Sequence, residues 1–388
     1  MTGAEESFRV ELREFIAHHA PDIAHQEGIR VPRDANEERA IRTWLASLYQ
    51  AGYLGAGWPE EWGGRADYLP IHDLILMEEL FRARAYRPLD QVGFAGHAIL
   101  GFGTDEQRRS LLPRIRRAEH VWCQLFSEPD AGSDLASLRT QAVADGDGFV
   151  VTGQKVWSTD AQWADMGLLI ARTDPTVDRH AGLTVFAIPM GLDGIEVRPI
   201  REMTGSAEFC EVFFDDVCVG SEHVLGEIGG GWTVITSGLA SERAFVGANA
   251  VQLEMMFDDL VALATRVRLP DDSPPIEHED VQAQLADARY RVEAVKLIVR
   301  DAVDRILRDE ETSSDGPFVK LAYSELNVAL CEIALELIAS TRDDGTAGPV
   351  IARWYENFLW SRALTISGGS SEIVRGLVGR QLLGLPRT

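Results

Sequence analysis

Apolar residues recur at three- and four-residue spacing from the N-terminus to about Glu119. Phe8, Leu12, Phe15 and Ile16 share one helical face, and Ile41, Leu45 and Leu48 share another. Pro70 opens a third run with Ile71, Leu74, Ile75 and Leu80. Between the second and third runs, GYLGAGWPEEWGG (Gly52 to Gly64) follows neither helical nor strand period and reads as a packed connector. From roughly Val121 to Leu225 the pattern changes to short β-branched and aromatic runs separated by Gly, Asp and Pro. They are GFVVT, MGLLIAR, LTVFAIPM, IEVRPI and CEVFFDDVCV. No helix-length segment separates them, so the pattern predicts an antiparallel sheet rather than parallel βαβ units. After GEIGGGW (Gly226 to Trp232) the helical period returns. Ile235, Leu239, Val246, Ala250, Leu253, Phe257 and Leu260 predict one face of a single long helix. A proline-rich acidic break, LPDDSPPIEHED, leads to a second long run ending near Arg308 and a third over about 318–339. The loop TRDDGTAGP and the stretch TISGGSSEIVRGLVGRQLLGLPR follow. The fold class is α+β, with a helical domain over 1–119, a β domain over 120–226 and a helical bundle over 227–388.

Composition narrows the partners. The chain has 388 residues, ample for a large core, with 37 Lys plus Arg against 61 Asp plus Glu and a formal net charge of −24. So negative a surface repels nucleic acid and anionic lipid, and any anionic ligand needs a local pocket of positive or N–H character. The four cysteines, Cys123, Cys210, Cys218 and Cys331, form no CxxC pair and read as buried free thiols in a reducing compartment. The opening MTGAEESFRVELREF is amphipathic and charged, and no apolar run approaches the ~20 residues needed to span a bilayer, so a cytoplasmic location is expected.

Three stretches could carry chemistry. In QLFSEPDAGSD (Gln124 to Asp134) a strand runs into a turn whose small residues leave backbone N–H groups open to an anion, although the same composition serves a plain turn. KVWST (Lys155 to Thr159) follows on a second strand. Glu242, in LASERAF, lies between Leu239 and Val246 at spacings of three and four, which sets a carboxylate in an apolar helical stripe. Such a group is either a general base with a raised pKa or one half of a core ion pair with Arg243 or another basic neighbour. GGSSEIVRG (Gly368 to Gly376) is a glycine pair entering a helix near Ser370, which makes an anion site or a simple cap. His97 reads as a packed or surface histidine. The nine histidines show no metal spacing, and there is no P-loop, no GxSxG and no GxGxxG after a strand.

Taken together, the helical, sheet, helical order resembles the acyl-CoA dehydrogenase superfamily over essentially the whole chain. The likeness rests on QLFSEPDAGSDLASLRTQAVADGDGFVVTGQKVWST, FCEVFFDDVCV and TISGGSSEIVRGLVGRQLLGLPR, with GYLGAGWPEEWGG fitting the N-terminal domain. The resemblance implies FAD as cofactor, held by the sheet domain and the C-terminal helices. Gln124, Phe126 and Ser127 would line the flavin ring, and Gly132 and Ser133 would meet the pyrophosphate. Trp157, Ser158 and Thr159 would flank the isoalloxazine, and Ser370 and Glu372 would approach the adenosine half. The family's base is a glutamate at one of two places. Gly368 stands at the C-terminal one and cannot take a proton, while Glu242 matches the other, as in isovaleryl-type and long-chain-type members.

The implied reaction is α,β-dehydrogenation of an acyl-CoA to the 2-enoyl-CoA, with an electron-transferring flavoprotein as acceptor. The N–H of Gly368 or Gly369 would polarise the thioester carbonyl, and Arg243 and Gly369 fall to the substrate. Two segments depart from the family. Where many members carry Arg-x-x-Phe and a Gly-Gly-x-Gly loop that reach the FAD of a neighbouring subunit, this chain has TRVRLPDDSPP and STRDDGTAGPV. The assembly is therefore open between homo- and hetero-oligomer, dimer or tetramer. Such versions resemble actinobacterial-type members that act on bulky substrates such as steroid side chains, sometimes as two-gene assemblies. A flavin monooxygenase on the same scaffold and a partner subunit completing another chain's flavin site are the alternatives.

Overall fold

The computed structural model describes residues 3–23, 32–87, 91–240, 243–342 and 348–386. They divide into two compact units, one of residues 3–23, 32–73 and 86–240, the other of residues 74–85 and 243–386. Among the described residues no helix is long and apolar enough to cross a membrane.

In the first unit an eight-stranded sheet runs in the order β6-β7-β3-β2-β4-β5-β8, with β1 also paired to β4. β4 (Met166–Arg172) and β5 (Leu183–Pro189) are buried on both faces, which is why they read as unbroken apolar runs. β3 (Gly148–Thr159) and β7 (Phe209–Gly220) alternate buried and exposed positions and form a long antiparallel pair. β6 (Ile195–Pro199) and β8 (Val224–Leu225) complete the ends.

The sheet is mixed where the sequence pattern predicts an antiparallel one. β1 (Trp122–Leu125) and β2 (Gln141–Asp145) both meet β4 in parallel, at Trp122 opposite Met166 and at Gln141 opposite Arg172. The two strands take successive stretches of one β4 edge, and the loop from Phe126 to Thr140 leaves the sheet between them. No helical crossover is needed, so periodicity carries no trace of the parallel pairing.

The N-terminal helices are bound to this sheet by polar ties. Arg42, on α2 (Ala35–Gln50), donates to Asp165 Oδ2 at 2.8 Å, and the Val121 N–H shares that oxygen at 2.7 Å. Gln107, on α5 (Asp105–Arg116), donates to the carbonyls of Glu222 and Val224 at 2.9 and 2.8 Å. α1 (Gly3–His19) buries Phe8, Leu12 and Ile16, and α3 begins at Pro70 as the pattern predicts and ends at Arg82. α4 (His97–Phe102) carries His97 at the surface. The connector 52–64 buries Tyr53, Leu54, Ala56 and Trp58. Its Gly63 takes φ +89°, in the left-handed region that favours glycine. Cys123, Cys210 and Cys331 are buried; Cys218 is exposed, since the β7 alternation that buries Val217 and Val219 turns it outward.

α6 (Gly231–Ala240) belongs to the first unit and α7 (Arg243–Arg266) to the second. The long helix expected across both passes through residues 241–242, outside the described residues. In the second unit α7 packs with α8 (Glu279–Leu307), α9 (Asp315–Ser340), α10 (Gly348–Leu364) and α11 (Ser371–Leu383). Leu253, Leu260, Val292, Val299, Leu330 and Trp354 lie at the centre of the core. The sequence pattern gives no sign of α10, whose buried face mixes Trp354 and Trp360 with Asn357 and Ser361 and so breaks the apolar period.

Glu208, in the first unit, is buried with no cation paired to it among the described residues. Glu208 is 1% exposed, accepts from the Ser206 hydroxyl, and lies beside Glu202, whose Oε1 takes the Phe209 N–H at 3.0 Å. Burial first, and then the Glu202 charge, push Glu208 up from 4.5 to about 7. Between those values the native state binds more protons than the unfolded chain, so stability falls as pH rises through the window. Glu208→Gln, which mimics the protonated acid, is expected to flatten that slope. It should raise the melting temperature at pH 8 and leave it nearly unchanged at pH 5. Thermal melts of both proteins across pH 5 to 8 check this, and an unaltered slope would refute it.

Candidate functional site

β3 is interrupted at the residues that follow its buried lysine. Lys155 pairs with Val212 and Ser158 with Cys210, so Val156 and Trp157 together oppose Glu211 in a β-bulge. Trp157 takes φ +62°, a left-handed conformation that costs a bulky side chain about 1–3 kcal/mol. Its indole is 58% exposed and meets Phe209 edge-on at 6.0 Å. Ser158, one residue on, is buried, and its hydroxyl has no hydrogen-bond partner among the described residues. Thr159 is half-buried opposite Phe209. An exposed indole held against its backbone preference in mid-strand is a device for presenting an aromatic surface, since ordinary packing would turn the ring inward.

The loop between β1 and β2 is fixed to this bulge by a buried ion pair. The Lys155 ammonium, fully buried, donates to Glu128 Oε1 at 2.8 Å and to the Phe126 carbonyl at 3.0 Å. Glu128 also accepts from the backbone N–H of Arg139 at 2.6 Å and of Thr140 at 2.9 Å. The Val156 N–H, freed from the ladder by the bulge, donates to the Ser127 carbonyl at 2.9 Å. Burial pushes the Lys155 ammonium down to about 8 against the opposing pull of Glu128. Burial works to raise Glu128, but Lys155 and the loop donors hold its carboxyl below the usual range. Removing one partner of such a pair costs about 3–5 kcal/mol.

The pair places the predicted residues of the loop. Gln124 is half-buried on β1, and Phe126 and Ser127 are half-buried just beyond it, with the Phe126 ring 5.4 Å from Phe94. Gly132 and Ser133 are exposed at the tip of the loop. A Cβ on Gly132 would meet nothing within 4 Å, so there is room for a bulky group against its backbone. The structure thus brings Phe126, Ser127, Trp157 and Ser158 together around one bulge.

In the second unit, Gly368 and Gly369 have φ +63° and +94°, and Lys320 on α9 donates to the Gly369 carbonyl at 2.7 Å. Ser370 is the N-cap of α11 and accepts from the Ile373 N–H at 3.5 Å. Glu372 is exposed in the first turn, held below the usual carboxylate range by its own backbone N–H and by Ser370. Glu242 lies outside the described residues. Of Arg243 only the backbone, at the start of α7, is described.

The Lys155–Glu128 pair belongs to no motif, although the sequence carries a signal for it. Phe149, Val151 and Lys155 all stand at inward positions of β3, and a lysine on the core face demands a carboxylate. The Trp157 conformation left no such trace.

Comparison with known proteins bears on the whole chain. The acyl-CoA dehydrogenase N-terminal, middle and C-terminal domain families match residues 2–119, 123–217 and 229–383. The acyl-CoA dehydrogenase IpdE1 of Mycobacterium tuberculosis is 36% identical over 98% of both chains. Among solved structures, a steroid ACAD named Tcur3481-Tcur3483 superposes with a TM-score of 0.85 at 28% identity, over 100% of this chain and 99% of that one. The ChsE4-ChsE5 complex from Mycobacterium tuberculosis does so with a TM-score of 0.85 at 29% identity and the same coverage. These matches leave little of the sequence unaccounted for, and the chain belongs to the acyl-CoA dehydrogenase family, enzymes whose cofactor is FAD.

Proposed function

We propose that the chain catalyses FAD-dependent α,β-dehydrogenation of an acyl-CoA thioester to the 2-enoyl-CoA and passes the electrons to an electron-transferring flavoprotein. The observation that carries the reading is Trp157, exposed on a strained bulge beside a loop of small residues. The chemistry of the first unit fits FAD. Trp157 offers an apolar face to a ring system, Ser158 has an unused hydroxyl, and the open backbone at Gly132 suits a pyrophosphate. In this reading Gln124, Phe126, Ser127, Trp157, Ser158 and Thr159 hold the flavin, Gly132 and Ser133 the pyrophosphate, and Ser370 and Glu372 the adenosine half.

When bound, FAD supplies the acceptor for the substrate's β-hydrogen, which leaves as hydride. The chain's own groups do the rest. Glu242 takes the α-proton, because Gly368, the other position where the family carries a base, has no side chain. The backbone N–H of Gly368 or Gly369 donates to the thioester carbonyl and stabilises the enolate-like charge that develops as the proton departs. Arg243 and Gly369 contact the substrate. The likeness to a protein named as a steroid ACAD supports a bulky, polycyclic acyl group.

A second reading is that the chain completes the flavin site of a partner chain. It is favoured by the two solved relatives, each named as a pairing of two proteins, and by the altered TRVRLPDDSPP and STRDDGTAGPV segments. Either way the assembly is an oligomer, homomeric or heteromeric.

The purified chain is expected to carry FAD, and a panel of straight, branched and polycyclic acyl-CoAs mixed anaerobically should bleach its oxidised flavin absorbance without added reductant. A chain free of flavin alone, but loaded after co-expression with a second dehydrogenase gene, selects the partner reading. Glu242→Gln should keep the flavin and slow bleaching by about 10²- to 10⁴-fold. Wild-type bleaching in that variant would remove Glu242 from the mechanism.

A further inference from the structure

We infer that Lys155 and Glu128 form a latch that positions Trp157 and the adjoining loop for the cofactor, an inference that rests on the FAD reading above. The latch is defined by geometry. One ammonium joins the Phe126 carbonyl and Glu128 at the near end of the loop, and the second role of the same carboxylate is to hold Arg139 and Thr140 at the far end. The loop is thereby closed on itself and pinned to β3 two residues before Trp157. The Val156 N–H then donates to the Ser127 carbonyl, which fixes the bulge, and the next residue adopts the left-handed conformation that turns its indole outward. Without the pin, a one-residue slip of β3 would carry Trp157 to the core face. Both latch side chains are buried, so they are positioning residues and not catalytic ones.

Neighbouring charges do not take over this task. On the loop, Arg139 pairs with Asp130 at 3.5 Å. On β7, Glu211 accepts from Gln154 at 2.9 Å. Arg172 on β4 donates to the carbonyls of Ala136 and Leu138 at 2.8 and 3.2 Å.

The near-isosteric variant Glu128→Gln tests the latch by the loss of its pH response. In the wild type, a rise in pH strips the Lys155 proton and leaves Glu128 without a counter-charge, so FAD binding should weaken from pH 7 to 9.5. In Glu128→Gln the carboxylate that holds the Lys155 proton is gone, so burial drives the amine neutral at lower pH than in the wild type, and Nζ meets only a neutral amide across this range. FAD binding should then be weaker than wild type at pH 7 by roughly tenfold or more and stay nearly flat from pH 7 to 9.5. FAD dissociation constants from fluorescence titration of the flavin-stripped chain give both profiles. Parallel profiles, or equal affinities at pH 7, overturn the proposal.

Hydrogen exchange of the flavin-stripped chains at pH 7 supplies the second arm. Glu128→Gln should lose protection at Val156, Arg139 and Thr140 while β4 stays protected. An equal loss across β4 would mean a general loss of stability and would equally overturn the latch. Should the wild-type chain take up no FAD, the functional reading fails, and the exchange arm still decides whether the latch exists.

Discussion

The Lys155–Glu128 pair is the constraint around which the first unit's site is built. An ion pair taken out of water recovers its desolvation cost only when the remaining donors and acceptors are satisfied. Here they are, by the Phe126 carbonyl and by the N–H groups of Arg139 and Thr140. Apolar side chains of similar volume could give comparable stability. They could not select one register for β3 or one closure of the loop, because burial alone is indifferent to a slip that keeps area constant. The pair contributes specificity of arrangement, and the strain at Trp157 is tolerated because the arrangement is over-determined on both sides.

The overall charge imposes a second constraint. A chain at −24 whose family takes a pyrophosphate cofactor, and for which a CoA ester is the proposed substrate, has to create positive potential locally. The lysine nearest the loop is spent internally on Glu128, and Lys320 is spent on the Gly369 carbonyl. In the FAD reading, the donors that the first unit offers an anion are the backbone N–H groups at Gly132 and Ser133, which lie exposed at the loop tip. Backbone donors of this kind can attract an anion without adding a cation that the surrounding carboxylates would neutralise.

Much of this architecture was legible in the alternation of periods. The change from helical spacing to short strands near Val121, and back after Trp232, follows directly from which faces are buried. β4 and β5 were legible for the opposite reason, since strands covered on both faces become continuous apolar runs. The elements that escaped are those whose buried faces mix polarity. α10 hides Asn357 and Ser361 among tryptophans, and the parallel approach of β1 and β2 to β4 is a matter of topology that side-chain pattern does not encode.

The site divides along the same line. Small residues in QLFSEPDAGSD and a glycine pair before α11 announce where backbone is left open, because only small side chains allow it. Lys155 was readable in principle as a charge on a core face. The Trp157 bulge was not, since an indole in an alternating strand looks the same whether it follows the pleat or defies it. What distinguishes the two cases is the partner of the neighbouring amide. Val156 donates across to Ser127 instead of along the ladder to β7, and Ser127 is held in reach by a carboxylate one residue further on. The functional surface is therefore a consequence of a long-range backbone bond, and a long-range backbone bond is information that no local sequence window contains.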